Sequence, residues 1–440
     1  MARAMKDSGI PWVGDIPESW NCKRIKYLAS YNDEVLEEST SDDYEFSYID
    51  IGSVEYGKGI TQYQKMQFKD APSRARRVVR RNDIIVSTVR TYLKAVATVP
   101  FSDVPQIAST GFIVLRARED KVLPDFLKYA VLSDAFISLV EAKSVGISYP
   151  AINASEIVNL SIPTPSLLEQ KRIANLLDTE CERIDAVMEQ TRASIEEYKK
   201  LKQSIITEAV TKGIRPNRPM KDSGIDWIGQ IPSEWAVERI KNIVMQIESG
   251  VSVNAAIYPA RENEIGVLKT SCVSKFCFLP NENKAVNEEE LHRVACDVKE
   301  NTIIMSRMNT PDLVGACGYV DKNYPNLFLP DRLWQIQFAK TTNVKYVWYY
   351  LNSKKVRSYY GSLAVGTSSS MQNISQDQFY HTYITSPRKE EQDAIVSYLD
   401  KKTDAIDSII EQKEQFLSEM ESYKKSLIFE YVTGKRSVNA

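Results

Sequence analysis

The stretch SRARRVVRR, residues 73–81, places arginines at 74, 76, 77, 80 and 81, and Arg90 and Lys94 follow just past a β-prone run. Ser87, Thr88, Thr91 and Tyr92 add neutral donors beside them. A guanidinium can neutralise a phosphate or lie bidentate on a guanine edge, and hydroxyls reach either backbone or bases. The combination therefore suits duplex DNA. Ser148 and Tyr149 sit downstream in a glycine loop, VGISYPAINASE. A second stretch of the chain offers a sparser set, Lys269, Lys275, Arg307, Asn309 and Arg332. There, Thr367, Ser368 and Gln372 in GTSSSMQN supply hydroxyls and an amide without charge. The plain alternative is that these charges line solvated strand faces, as most charge runs do.

Other chemistry is poorly served. No GxxxxGK[ST] loop exists, and GKGI at 57–60 and GKRS at 434–437 lack the frame. No GxGxxG follows a strand to open a helix. His292 and His381 do not stand at HExxH spacing and read as surface or core residues. No NPPF- or DPPY-like segment could hold a flipped base for methylation. The six cysteines form no CxxC pair, so reduced thiols are expected rather than zinc, redox duty or a disulfide framework. A net charge of −2 means that any basic surface must be local. The residues thus predict no catalytic centre, no metal site and no cofactor in this chain. Without an apolar N-terminal region or a long apolar run, neither a signal peptide nor a membrane span is expected, and the chain reads as cytoplasmic.

The elements that would position these residues are written twice. MKDSGIPWVGDIPESWNCKRIK, residues 5–26, matches residues 220–241 at 14 of 22 positions, including Trp12/Trp227 and Trp20/Trp235. Residues 165–212 align without a gap to 387–434 at 17 of 48 positions. Both long segments carry a heptad pattern. In the first, Ala174, Cys181, Met188 and Ile195 hold one seam position, and Leu177, Ile184, Tyr198 and Ile205 the other. In the second, Val396, Thr403, Ile410 and Leu417 pair with Leu399, Ile406, Met420 and Leu427. Thr191 and Lys413 put a polar residue at the same slot, which would fix register. A helix of this length cannot bury its stripe on a small domain alone, so the two are expected to pack together, antiparallel. Between the repeats lie two variable blocks with a shared order of strands, an amphipathic helix and a glycine loop.

The fold class that follows is α+β: two domains of one fold joined by two long antiparallel coiled-coil helices with pseudo-twofold symmetry. The expected boundaries are 1–164 for the first domain, 165–214 for the first helix and 215–386 for the second domain. The second helix takes 387–434, and a tail takes 435–440.

The two MKDSGI-x-W-[VI]-G-x-IP-x-x-W phrases, SYPAINASEIVNLSIPTPSLLEQKRIANLLD with its echo GTSSSMQNISQDQFYHTYITSPRKEEQDAIVSYLD, and the strand phrases RNDIIVSTVR and STGFIVLRAR carry a resemblance. The chain resembles, over essentially its whole length, the specificity subunits of Type I restriction-modification enzymes. The second copy departs from the family's Pro-rich run at YITSPRKEEQ. The resemblance implies that each variable block is a target recognition domain reading one half of a bipartite site in double-stranded DNA. The paired helices would fix the unread spacer. It also implies a non-catalytic subunit that recruits two modification (methyltransferase) subunits, which carry S-adenosylmethionine, and through them two restriction (translocase/endonuclease) subunits using ATP and Mg²⁺. Half-sites read from one face would lie one helical turn, about 34 Å, apart.

Loop position and side-chain type nominate the contacts. Arg74, Arg76, Arg77 and Lys94 would hold phosphates, with Ser87, Thr88 and Tyr92 beside them, while Arg90, Ser148 and Tyr149 reach bases. In the second block Arg307, Asn309, Thr367, Ser368 and Gln372 would read, with Lys269 and Arg332 nearby. Two other readings remain open on residues alone, a self-contained nuclease and a coiled-coil scaffold that never meets DNA.

Overall fold

In the computed structural model, which describes residues 3–363, 365–368 and 371–438, side chains of 365–368 aside, each Trp phrase folds as a staple. Met5–Asp7 pairs antiparallel with Asp15–Pro17, and Met220–Asp222 with Gln230–Pro232. The turn needs its letters. Gly9, Gly14, Gly224 and Gly229 all have positive φ, which glycine adopts without strain. Asp7 Oδ1 accepts from the Gly9 N–H, and Asp222 Oδ1 from the Gly224 N–H, each at 2.9 Å. Trp20 and Trp235, each 1% exposed, pass into the cores.

The long helices span Leu167–Lys212 and Lys389–Val432. The chain divides into two compact units, one of Met1–Thr191 with Glu414–Ala440 and the other of Arg192–Lys413. Each unit therefore owns the start of one long helix and the end of the other. In the first unit Leu427, Ile428, Tyr431 and Val432 share a core with Ile173, Leu177, Val13 and Trp20. In the second, Ile206, Ala209 and Val210 share a core with Ile395, Val396, Leu399, Ile228 and Trp235. Late residues of one helix thus meet early residues of the other, and the pairing is antiparallel as the heptads predict. The same ion pair recurs in each unit: Lys424 Nζ lies 2.7 Å from Asp185, and Lys202 Nζ 2.6 Å from Asp407. Of the predicted seam, Ala174, Leu177, Cys181, Ile184, Met188 and Ile195 are buried, as are Val396, Leu399, Thr403, Ile406 and Leu427. Tyr198, Ile205, Ile410, Leu417 and Met420 are only half-buried. Thr191 Oγ1 donates to its own helix at Val187 O, and the Lys413 ammonium lies over the Tyr198 ring.

Both units are built from two four-stranded sheets with matching topology. In the first unit, Val96–Thr98, Ile84–Ser87, Phe112–Ala117 and Ala29–Tyr31 form an antiparallel sheet in that order. Cys317–Val320, Thr302–Ser306, Leu333–Phe338 and Val244–Ser249 repeat it in the second. The other sheet of the first unit runs Gln64–Gln67, Glu45–Ile49, Gln106–Ser109, Ala75–Val79, with one parallel pair at its centre. Asn283–Ala285, Gly266–Leu268, Tyr324–Phe328 and Asp297–Val298 repeat that too, parallel pair included.

Strand alternation explains the unbroken apolar runs. Ile84 and Val86 face the core shared with the helices, while Ile85 between them faces the core between the sheets. A sheet covered on both faces wants an apolar residue at every position, as IIV at 84–86 and IIM at 303–305 supply.

Candidate nucleic-acid interface

One glutamate and one glutamine near the start of each long helix anchor it, the glutamate to the repeated phrase and the glutamine to the segments before the amphipathic and long helices. Trp20 Nε1 donates to Glu169 Oε2 at 2.8 Å, and Trp235 Nε1 to Glu391 Oε2 at 2.9 Å. Gln170 Nε2 donates to Pro165 O while its Oε1 accepts from Leu123 N; Gln392 does the same with Pro387 O and Asn343 N. Arg3 pairs with Glu169 at 2.7 Å and lies over Trp20; Arg218 pairs with Glu391 at 2.6 Å and lies over Trp235. This frame fixes where the strands, and the loops leaving them, must stand.

The loops after Ile84–Ser87 and Thr302–Ser306 carry Thr88, Arg90, Tyr92 and Lys94 in the first unit and Arg307 and Asn309 in the second. In the first unit Ile152 N donates to Thr88 O at 2.9 Å, and Val89 bridges to Ala151, so segment 145–151 is tied beside segment 88–94. Arg90 is exposed, has φ 51°, and holds its guanidinium 5.1 Å from the Tyr149 ring centre. Ser148, Tyr149 and Tyr92 are exposed around it. Beneath them, Arg77 and Thr88 line a cleft of about 360 Å³ together with Val145, Ala151 and Glu156. Burial pulls the Arg77 guanidinium below its ordinary pKa, and its Nε has no hydrogen-bond partner among the described residues. The structure therefore brings Arg77, Thr88, Arg90, Tyr92, Ser148 and Tyr149 into one neighbourhood.

The other nominated residues of this unit stand differently. Arg74 is held by Tyr48 and Asp50, each at 3.1 Å, which raise its pKa. Arg76 packs over Phe68 and donates to Ala75 O. Lys94 faces the carboxylates of Asp134 and Glu141 at 3.5 and 3.7 Å. Ser87 is 2% exposed, so its hydroxyl lies inside the fold, and the Thr88 hydroxyl donates to Gly111 O. Arg80, another member of the arginine run, is bonded to Glu34, which also takes Arg116.

In the second unit the corresponding loop forms a small sheet. Met308–Asn309 pairs with Met371–Asn373, which pairs with Val365–Ser368. Asn309 and Gln372 stand opposite each other in that register, and Ile374 N donates to Arg307 O. Arg307 N donates to Arg332 O, and Arg307 Nε to Asp331 O at 2.9 Å. Arg332 is exposed. Gln372 Oε1 and Asn373 Oδ1 are buried acceptors without a partner among the described residues. Lys269 stands apart, paired with Glu282 at 2.8 Å. Thr367 and Ser368 lie on Val365–Ser368, and their side chains fall outside the described residues.

Sequence reasoning passed over Arg3 and Arg218. The duplication starts two residues before MKDSGI, and the repeated arginine at that spacing was the available signal. It also passed over Ile147, which the loop presents fully to solvent. Among the described residues no group of His, Cys, Asp and Glu could hold a metal ion, and no helix is long and apolar enough to cross a membrane.

Comparison with known proteins agrees with the doubled architecture. The model of the Type I restriction modification DNA specificity domain matches residues 17–197 and again 232–418. The Type I restriction enzyme MjaVIII specificity subunit of Methanocaldococcus jannaschii is 25% identical over 431 residues, covering 96% of this chain and 93% of that protein. The EcoKI specificity subunit of Escherichia coli K12 is 21% identical over 406 residues, 88% of this chain and 83% of that one. With the Escherichia coli EcoEI specificity subunit, identity is 25% over 201 residues; that match takes in 45% of this chain and 34% of the relative's length. Two solved structures share the fold. One is a chain from a study of complex assembly and conformational transition of the type I R-M system, with TM-score 0.74, 22% identity, and 96% and 99% of the two chains covered. The other is the HsdS subunit from Thermoanaerobacter tengcongensis, with TM-score 0.53, 22% identity, and 96% and 98% covered. The chain belongs to the family of Type I restriction modification DNA specificity domains, and carries two of them.

Proposed function

We propose that this chain is the DNA sequence-recognition subunit of a Type I restriction-modification complex. Each unit reads one half of a bipartite duplex site, and the paired helices hold the unread spacer. The observation that carries this reading is the division of labour inside the repeat. The Trp–Glu and Gln hydrogen bonds of the frame recur, and so does its Arg–Glu ion pair. The loops that the frame positions carry unlike side chains, cations and aromatics in one unit and amides in the other. A reader of two different words needs that pattern; a scaffold would have no use for divergent loops.

In this reading Arg76 and Arg77 neutralise phosphates of the first half-site, and Arg90, Ser148 and Tyr149 reach base edges; Arg74, paired with Asp50, and Lys94, paired with Asp134 and Glu141, supply no free cation. Arg307, Asn309, Thr367, Ser368 and Gln372 read the second, with Lys269 and Arg332 at its border. Phosphate contacts set orientation and affinity, and base contacts set the sequence. The chain supplies no catalysis. Two modification subunits carrying S-adenosylmethionine dock on the repeated surfaces, and two restriction subunits carrying ATP and Mg²⁺ join through them.

Methylome sequencing of a host expressing this chain with its cognate modification subunit tests the reading. A split, asymmetric methylated motif is the expected result. An unbroken motif, or cleavage of DNA by the purified chain with Mg²⁺ alone, would overturn it.

A further inference from the structure

The loop that carries Ser148 and Tyr149 presents something a plain hydrogen-bonding reader would not need. Val145 and Ala151 exchange backbone hydrogen bonds of 2.8 and 3.0 Å, closing a tight hairpin. Gly146 has φ 120°, and a Cβ there would meet Tyr149 O at 3.1 Å, so the turn depends on glycine. At the tip Ile147 is 103% exposed, flanked by Val145 at 81% and Tyr149 at 66%. Tyr92 and Leu93, from the adjoining loop, are exposed as well. Water meets this apolar point on every side, which is unfavourable unless something covers it.

The charges around the point say what does. Arg90 lies against Tyr149 and has no carboxylate partner among the described residues. Arg77 lines the cleft below with an unpartnered Nε. Glu156, the acid that lines the same cleft, is engaged in capping Asn153. An apolar tip with the Arg90 guanidinium against Tyr149 and Arg77 in the adjoining cleft, neither in an ion pair among the described residues, fits a polyanion with an apolar interior. Stacked duplex DNA is one.

We propose that Ile147 is a wedge that enters the base stack at the first half-site and opens one base step. The proposal rests on the reading that this unit binds duplex DNA. A β-branched side chain is stiff at χ1 and loses little freedom on insertion. Apolar wedges of this kind unstack a step and kink the duplex. The cost is lowest at pyrimidine–purine steps. Ile147 thereby favours TA or CA/TG at one position without a hydrogen bond to any base. In VGTSSSMQ the residue after the matching Val-Gly is Thr367, so the second half-site keeps its stack.

The test uses the full chain assembled with its modification subunits. Duplexes of its methylome-defined target carry 2-aminopurine singly at successive positions through both half-sites and the spacer. Several-fold brightening at one step of the first half-site, and at none of the second, is the expected result. In complexes formed at saturating protein, Ile147→Ser should return that step to the free-duplex level, and Ile147→Leu should restore it. Brightening that persists in Ile147→Ser, or a bound target dark throughout, overturns the wedge alone. A complex that shifts no duplex overturns both the wedge and the reading beneath it.

Discussion

In the first unit the loop after the central strand carries Arg90, Tyr92 and Leu93 and lies beside the hairpin of Ile147 and Tyr149. In the second unit the same loop carries Arg307 and Asn309 and lies beside Gln372. Beside these loops the first unit leaves the Arg77 Nε–H without a partner among the described residues, and the second leaves the amide oxygens of Gln372 and Asn373. Nothing comparable separates the frames. The Trp–Glu bond, the Gln pair of bonds and the Lys–Asp bridge between helices recur with distances within about 0.1 Å. The loops that carry the candidate contacts diverge on a frame whose bonds repeat. That is how a fold can change what it reads without changing how it stands.

Breaking the frame should hurt both units alike. Trp20→Ala and Trp235→Ala each remove a fully buried indole and take one donor from a glutamate, and each should lower stability by about 3–5 kcal/mol in denaturant titration. A large loss in one unit and none in the other would deny that the staples are equivalent. The arginines sharpen the comparison, because Arg218 and Glu391 are 7% and 11% exposed and Arg3 and Glu169 are 31% and 25%. Arg218→Ala should cost about 3–5 kcal/mol, as a buried pair losing one partner does. Arg3→Ala should cost clearly less in the same assay.

At the loops the effect moves from stability to recognition. Arg90→Ala should leave the melting temperature unchanged, cost about 1–3 kcal/mol in binding and relax one position of the first half-site alone. Relaxation in both half-sites would end the separation of labour between units. The smallest effect belongs to the helix bridges. Lys202→Ala and Lys424→Ala should each cost about 0.2–1 kcal/mol, shrinking with added salt. Their near equality, checked by double-mutant cycles with Asp407 and Asp185, measures how far the helix pairing is symmetric.

Much of this was legible in the amino-acid sequence. Both Trp phrases, both heptad stripes and the antiparallel pairing follow from residue types whose backbone or burial needs are strict: glycine at positive φ, indole in a core, leucine on a seam. Residues whose role depends on a distant partner were harder to read. Lys94 looks like a free cation until Asp134 and Glu141 arrive on a helix forty residues later. Ser87 looks like a donor until strand alternation turns it inward. The turn carbonyl at Val13 takes the ammonium of Lys435, and its counterpart at Ile228 takes that of Lys355. The duplicated turn keeps its bond while drawing the donor from unrelated segments, so no repeat in the sequence marks it.

The exchange of helix ends has a consequence for how the protein is made. The core around Val13, Ile16 and Trp20 is closed by Leu427, Ile428, Tyr431 and Val432, more than four hundred residues downstream. On a ribosome, the half synthesised first must wait with an open hydrophobic flank until nearly the last residues emerge, whereas the half begun later can close on segments already at hand. A chain stopped near Lys413 should accordingly yield an intact second unit tethered to an unfinished first one, inverting the usual rule that what is translated earliest folds earliest.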